Sequence, residues 1–194
     1  LAEGEGVVRA SGVVMVVSAA SVLMLAGCST GGEAAPVVTT TTGLPIAAEA
    51  PASFDPCTDI PQSVLDSENL RRGASKNANY DGGRGIKWRG CRYVAPDSYA
   101  VGITTTNLTL AVVRDNPDFT VRQEYVIDGR AAMAVDPVGE TDLRASCRFY
   151  VEMTGGSLEL SMDNPSSRDK TGHLDTCELA RGLAEKLAPL IPDN

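Results

Sequence analysis

The residues with most chemical potential in this chain are its cysteines, Cys28, Cys57, Cys91, Cys147 and Cys177, and its single histidine, His173. The last four cysteines are an even set, and three pairings are open to them. In an oxidising compartment they predict two disulfides. We expect Cys57 with Cys91 and Cys147 with Cys177, because each bond then ties a helix to a strand of its own half of the domain. A zinc site built from all four thiolates would need a C-x-x-C pair, and the sequence has none. His173 could serve a hydrolase as base, but no G-x-S-x-G elbow accompanies it, and it reads as a surface or capping residue at the start of the last helix. The acidic pairs Asp66 with Glu68 and Glu159 with Asp163 could do acid–base work. The first pair points different ways on a helix, and the second shares the solvent face of a strand. Residues 163–169 hint at a calcium loop, but Pro165 stands where an oxygen ligand is needed and the sixth position lacks glycine. Gly82-Gly83-Arg84-Gly85 is no dinucleotide fingerprint. No cofactor and no metal is expected.

Charge is distributed unevenly. The 194 residues carry a net charge of −8, which disfavours a nucleic-acid partner because counterion release needs a surplus of Lys and Arg. Yet Arg71, Arg72, Lys76, Arg84, Lys87, Arg89 and Arg92 fall in one segment against Asp81 alone. Such a run could hold anionic headgroups or envelope phosphates. Trp88 lies within it and reads as a core residue.

The elements that must position these groups begin with an apolar, uncharged run, Val13 to Ala26. It is shorter than the roughly 20 residues of a spanning helix and has the length of a signal-peptide core. Leu25-Ala26-Gly27-Cys28, followed by Ser29-Thr30, resembles the bacterial lipobox. By that resemblance residues 1–27 are a signal peptide and Cys28 becomes the lipidated first residue. Two or more acyl chains would hold the protein stably on the outer face of the cell membrane. Residues 28–53, rich in Thr, Ala, Pro and Gly, cannot bury enough surface to order themselves and read as a disordered tether. Its span as a flexible coil is roughly 25–30 Å. Residues 54–194 form the folded domain.

Within the domain, apolar and polar residues alternate from Ala145 to Met153 and again from Leu158 to Met162, a hairpin. A turn at Gly155-Gly156 would set Met153 opposite Leu158, Val151 opposite Leu160 and Phe149 opposite Met162. A second hairpin is expected at Asp128-Gly129, and two earlier strands at Ile86–Tyr93 and Tyr99–Thr105, with a bulge at Gly90. One helix is predicted from Pro61 to Leu70 with Gly73 as its stop, and a short one near 107–115 capped by Asn107. A last helix carries Leu174, Cys177, Ala180, Ala184 and Leu187 on its buried stripe and ends at Pro189. The expected fold class is α+β: an antiparallel sheet of about six strands covered by N- and C-terminal helices.

The lipobox-like start, Phe54-Asp55-Pro56-Cys57-Thr58, Trp88-Arg89-Gly90-Cys91, Ile127-Asp128-Gly129-Arg130-Ala131, Cys147 in a strand and Cys177 in the last helix together resemble actinobacterial lipoproteins with domain of unknown function 3558. The resemblance implies secretion, lipid anchoring and two disulfides, and it brings no assigned chemistry. A broader likeness to PsbP-like sandwiches rests on topology and licenses no function. The expected role is a non-enzymatic binding or accessory module for an envelope lipid, a phosphate polymer or a membrane protein, with Arg71 to Arg92 as contact face. The alternative is a hydrolase-like envelope enzyme with a carboxylate or His173 site.

Overall fold

The computed structural model describes residues 38–39, 43 and 45–193. All lie in the second of the two units into which the chain divides, Ala34–Asn194. Cys28, the apolar run before it and most of the Thr-rich stretch fall outside the described residues.

Two short strands, β1 (Val38–Thr39) and β2 (Pro45–Ile46), pair with each other. Eight more, β3 (Arg71–Asn77), β4 (Tyr80–Asp81), β5 (Lys87–Val94), β6 (Ala100–Thr106), β7 (Phe119–Ile127), β8 (Arg130–Pro137), β9 (Ser146–Met153) and β10 (Gly156–Asp163), build one antiparallel sheet. Its order is β3-β5-β6-β10-β9-β8-β7, with β4 on the start of β5. The helices are α1 (Gln62–Ser67), α2 (Leu110–Arg114) and α3 (Thr176–Leu187). The α+β class and the antiparallel sheet stand, with eight strands where about six were expected.

Period-two alternation decides what each face does. On one face Cys91, Tyr93, Val101, Ile103, Phe149, Val151, Leu158 and Leu160 are buried, and α3 lays Cys177, Ala180, Leu183, Ala184 and Leu187 on them. Disulfides Cys57–Cys91 and Cys147–Cys177 form as expected, closing loops of 34 and 30 residues. Cys57 lies in a turn ahead of α1 rather than in a helix. Asp175 caps α3, accepting from the Cys177 and Glu178 amides. Arg122 ties that cap to the sheet through Asp136 (2.5 Å) and Asp175 (3.2 Å). The other face carries a smaller cluster, in which Ile46, Leu108, Leu110, Val112, Val113, Met133, Val135 and Tyr150 are buried.

Several expectations need correction. The β9–β10 hairpin turns at Thr154-Gly155, so Leu158 faces Val151 and Leu160 faces Phe149, a two-residue slip that preserves the faces. Gly156 is excluded from the turn because it abuts β6: a Cβ there would stand 1.9 Å from the Thr106 carbonyl oxygen. Gly90 hosts no bulge in the β5–β6 pairing, whose register is continuous, and Trp88 and Cys91 do face opposite sides. What fixes Gly90 is contact, since a Cβ would meet the Ile103 oxygen at 2.1 Å. The first helix stops at Ser67, ahead of Asn69 at φ 52°, and Gly73 belongs to strand β3. The short helix is capped by Thr109, while Asn107 is fully buried, accepting from the Lys87 amide and donating to the Ala47 and Gly85 carbonyls. Leu174 precedes α3 and is exposed. The end of the expected tether is built into the domain: Ile46 is 1% exposed and Ala50 is also buried. Its polar pattern hid two apolar anchors and Glu49, which pairs with Lys87 at 2.5 Å.

Candidate binding groove

The second face of the sheet is only partly covered. Beside the small cluster runs a groove of about 1060 Å³ floored by β5, β6, β10 and β9. Register explains why a hollow forms there. Arg92 on β5 pairs with Gly102 on β6, Gly102 with Ser161 on β10, and Ser161 with Arg148 on β9. One row deeper the residues are Gly90, Thr104, Glu159 and Tyr150. In the first of these rows small side chains on the central strands lie between two arginines on the flanks. Ile86, Trp88, Leu108 and Phe119 line the groove and also pack against or belong to the small cluster, so its apolar wall is continuous with that core. Tyr80, with its ring 5.6 Å from that of Trp88, and Val138 stand exposed along the groove.

The deep row holds a polar network. Glu159 is 2% exposed. Its carboxylate accepts from Trp88 Nε1 at 2.6 Å and Arg148 Nη1 at 2.8 Å. The same Arg148 nitrogen donates to Ser161 Oγ at 3.0 Å. Burial is the largest influence and works against the Arg148 charge, but the Glu159 carboxylate, with Tyr150 and Asp163 adding to it, leaves the guanidinium above its ordinary value. Burial, and then the same carboxylate, push the Tyr150 phenol well up, so it stays a neutral donor. Chemically this is a fixed, hydrogen-bonded floor. The carboxylate is satisfied and turned into protein, whereas Arg148 keeps Nε and Nη2 without a partner among the described residues.

Reading Glu159 as a solvent-facing partner of Asp163 was wrong: Asp163 is exposed, and Glu159 is buried under Trp88 and Arg148. Trp88 is half-buried in the groove wall rather than in the core. The basic segment does not form one face. Lys87 is neutralised by Glu49, and Arg89 by Asp81 at 2.6 Å. Arg72 donates to the Cys57 carbonyl. Arg71 faces Val94 across β3–β5, Lys76 and Arg84 are exposed, and Arg92 enters the groove. His173 is exposed ahead of α3, its carbonyl accepting from Arg144, and does not line the groove. Glu68 accepts from the Tyr99 hydroxyl at 2.7 Å and from Lys186, while Asp66 accepts from Gln62 at 2.8 Å, so these two carboxylates serve separate contacts.

The chain is a disulfide-braced α+β domain with α3 on one face of its sheet and, on the other, α2 beside a polar-floored groove. The chain belongs to the family described as protein of unknown function (DUF3558), whose model matches residues 23–190. No curated protein and no solved structure matches it.

Proposed function

We propose that this protein is a lipid-anchored, extracytoplasmic binding module, not an enzyme, and that it holds a small envelope molecule in the groove over Trp88, Glu159 and Arg148. The observation that carries the reading is the groove itself: about 1060 Å³, walled by aromatic and aliphatic side chains, with a few fixed polar groups at its floor. Ligand sites have this composition and this size range. Lipidation at Cys28 is supported by the apolar run and the small residues that precede it. Residues between Cys28 and the domain then serve as the tether that gives the groove reach above the membrane. Arg92 is the member of the basic segment that lines the groove, where it would face an anionic envelope component.

Two measurements test this. Intact mass of protein from the native host should carry the added weight of acyl chains on a chain beginning at Cys28; an unmodified chain refutes the anchor. Native mass spectrometry of the same material should show a bound small molecule that Gly102→Leu removes. A chain that is always empty, or whose ligand survives that substitution, refutes the groove. The enzyme alternative predicts turnover that His173→Ala abolishes.

A further inference from the structure

Resting on the groove as binding site, we infer that its ligand is a single-chain amphiphile with one anionic head, and that the head sits over Gly102 between Arg92 and Arg148. The two arginines stand in one cross-strand row, with only Gly102 and Ser161 between them. Three strand spacings separate their backbones by about 14 Å, within the combined reach of two guanidinium side chains converging on a carboxylate or phosphate. Gly102 leaves the floor open there, since a Cβ would meet nothing nearer than Ser161 at 3.9 Å.

Charge in the bay is asymmetric. The Arg148 charge is answered from below by Glu159, and its Nη1 is used by Glu159 and Ser161, so it contributes N–H donors rather than net charge. Arg92 is exposed and has no ion pair among the described residues, so it supplies the uncompensated positive charge. One anionic group therefore suits the bay. Asp163, one row along from the arginines, is exposed but still acts on the Arg148 charge, and Asp118 lines the groove beside Phe119, so the positive region is confined to the row of Arg92 and Arg148. In the other direction the groove runs onto Ile86, Trp88, Leu108 and Phe119, which are apolar and continuous with the second core cluster. A hydrocarbon body laid there removes apolar surface from water on both sides. Head at the arginine row and body toward Leu108 is the orientation that satisfies both ends.

Trp88 is the only tryptophan, so its emission reports occupancy directly. The full chain would be titrated with palmitate, cetyl alcohol and cetyltrimethylammonium, each below its micelle concentration, with calorimetry as an independent readout. Palmitate is expected to bind at least about tenfold tighter than the alcohol, and the cationic probe weakest. Arg92→Gln should weaken palmitate about tenfold and leave cetyl alcohol unchanged, because it removes charge and not wall. Gly102→Leu should abolish binding of both while leaving the circular dichroism spectrum intact. If alcohol and palmitate bind equally, or Arg92→Gln changes nothing, the anionic head is refuted and the groove stands. Binding that survives Gly102→Leu refutes the groove as well. If none of the three probes binds, the amphiphile is refuted, and the native-host mass measurement alone decides whether the groove is a site.

Discussion

Glu159 is the most informative single residue to perturb, because it ends both the Trp88 and the Arg148 hydrogen bonds. Glu159→Gln keeps the size and an oxygen acceptor for Trp88, but removes the charge under Arg148. Breaking a fully buried pair costs about 3–5 kcal/mol, since an uncompensated ion is left in a poor solvent. Here the Glu159 side chain is 3% exposed and that of Arg148 is 39% exposed, so water in the groove can solvate the orphaned guanidinium. The expected cost is therefore lower, about 2 kcal/mol. That corresponds to a melting temperature lower by about 4–8 °C for a domain of this size. Urea unfolding with the disulfides intact, followed by far-ultraviolet circular dichroism, measures it without relying on Trp88. The double variant Glu159→Gln with Arg148→Met should recover at least half of the loss, because no unpaired charge remains. A cost below about 0.5 kcal/mol for Glu159→Gln, or single-variant effects that simply add, would show that the pair is not what holds the floor.

Removing the Cys147–Cys177 bond by paired serine substitution should cost about 3.5 kcal/mol through the loop it closes, read as a lower calorimetric melting temperature. Gly156→Ala should fail to give folded protein in the β9–β10 register, because the new methyl overlaps the Thr106 carbonyl; a soluble variant with wild-type melting would contradict the hairpin as described. Alkaline pH should unfold the domain. Burial raises Tyr93, Tyr99, Tyr125 and Tyr150 above their ordinary value in the folded state, with the Glu68 contact adding to the shift at Tyr99. Their stabilising contribution is complete below about pH 10, where the unfolded chain also keeps its phenolic protons, and falls as pH rises beyond it. An absorbance titration in which all tyrosines ionise below the unfolding transition would contradict this.

Strong local signals survived into the structure. The Asp128-Gly129 hairpin closes as expected, with both residues at positive φ, and the stripe of α3 and both cysteine pairs stand. The missed features depend on partners distant in sequence. Strand β3 has no alternation and a glycine, Gly73, in its middle; it is a strand because β5 offers it an edge. The groove floor was hidden by a two-residue slip. With the turn placed at Gly155-Gly156, Glu159 would fall opposite Glu152, and Arg148 opposite Asp163. The true register sets Glu159 opposite Tyr150 and one pair from Arg148, where a buried ion pair can form. Alternation is blind to even slips, and the steric rule against any side chain at position 156 is written in β6, not in the hairpin. Residues 45–53 read as solvated because they are poor in large apolar side chains, and Ile46, the one large anchor among them, finds its place in the cluster with Leu108 and Tyr150.

Both sulfur bridges join the sheet from the side that α3 occupies, where Cys91 and Cys147 share the larger core. The molecule is thus stiffened along its back and left uncrosslinked in front, among the described residues. Any flexing of the strands is taken up by the unbraced surface, which can spread or close by small changes in twist without straining a covalent bond. A groove so mounted can change its width while its frame keeps its shape.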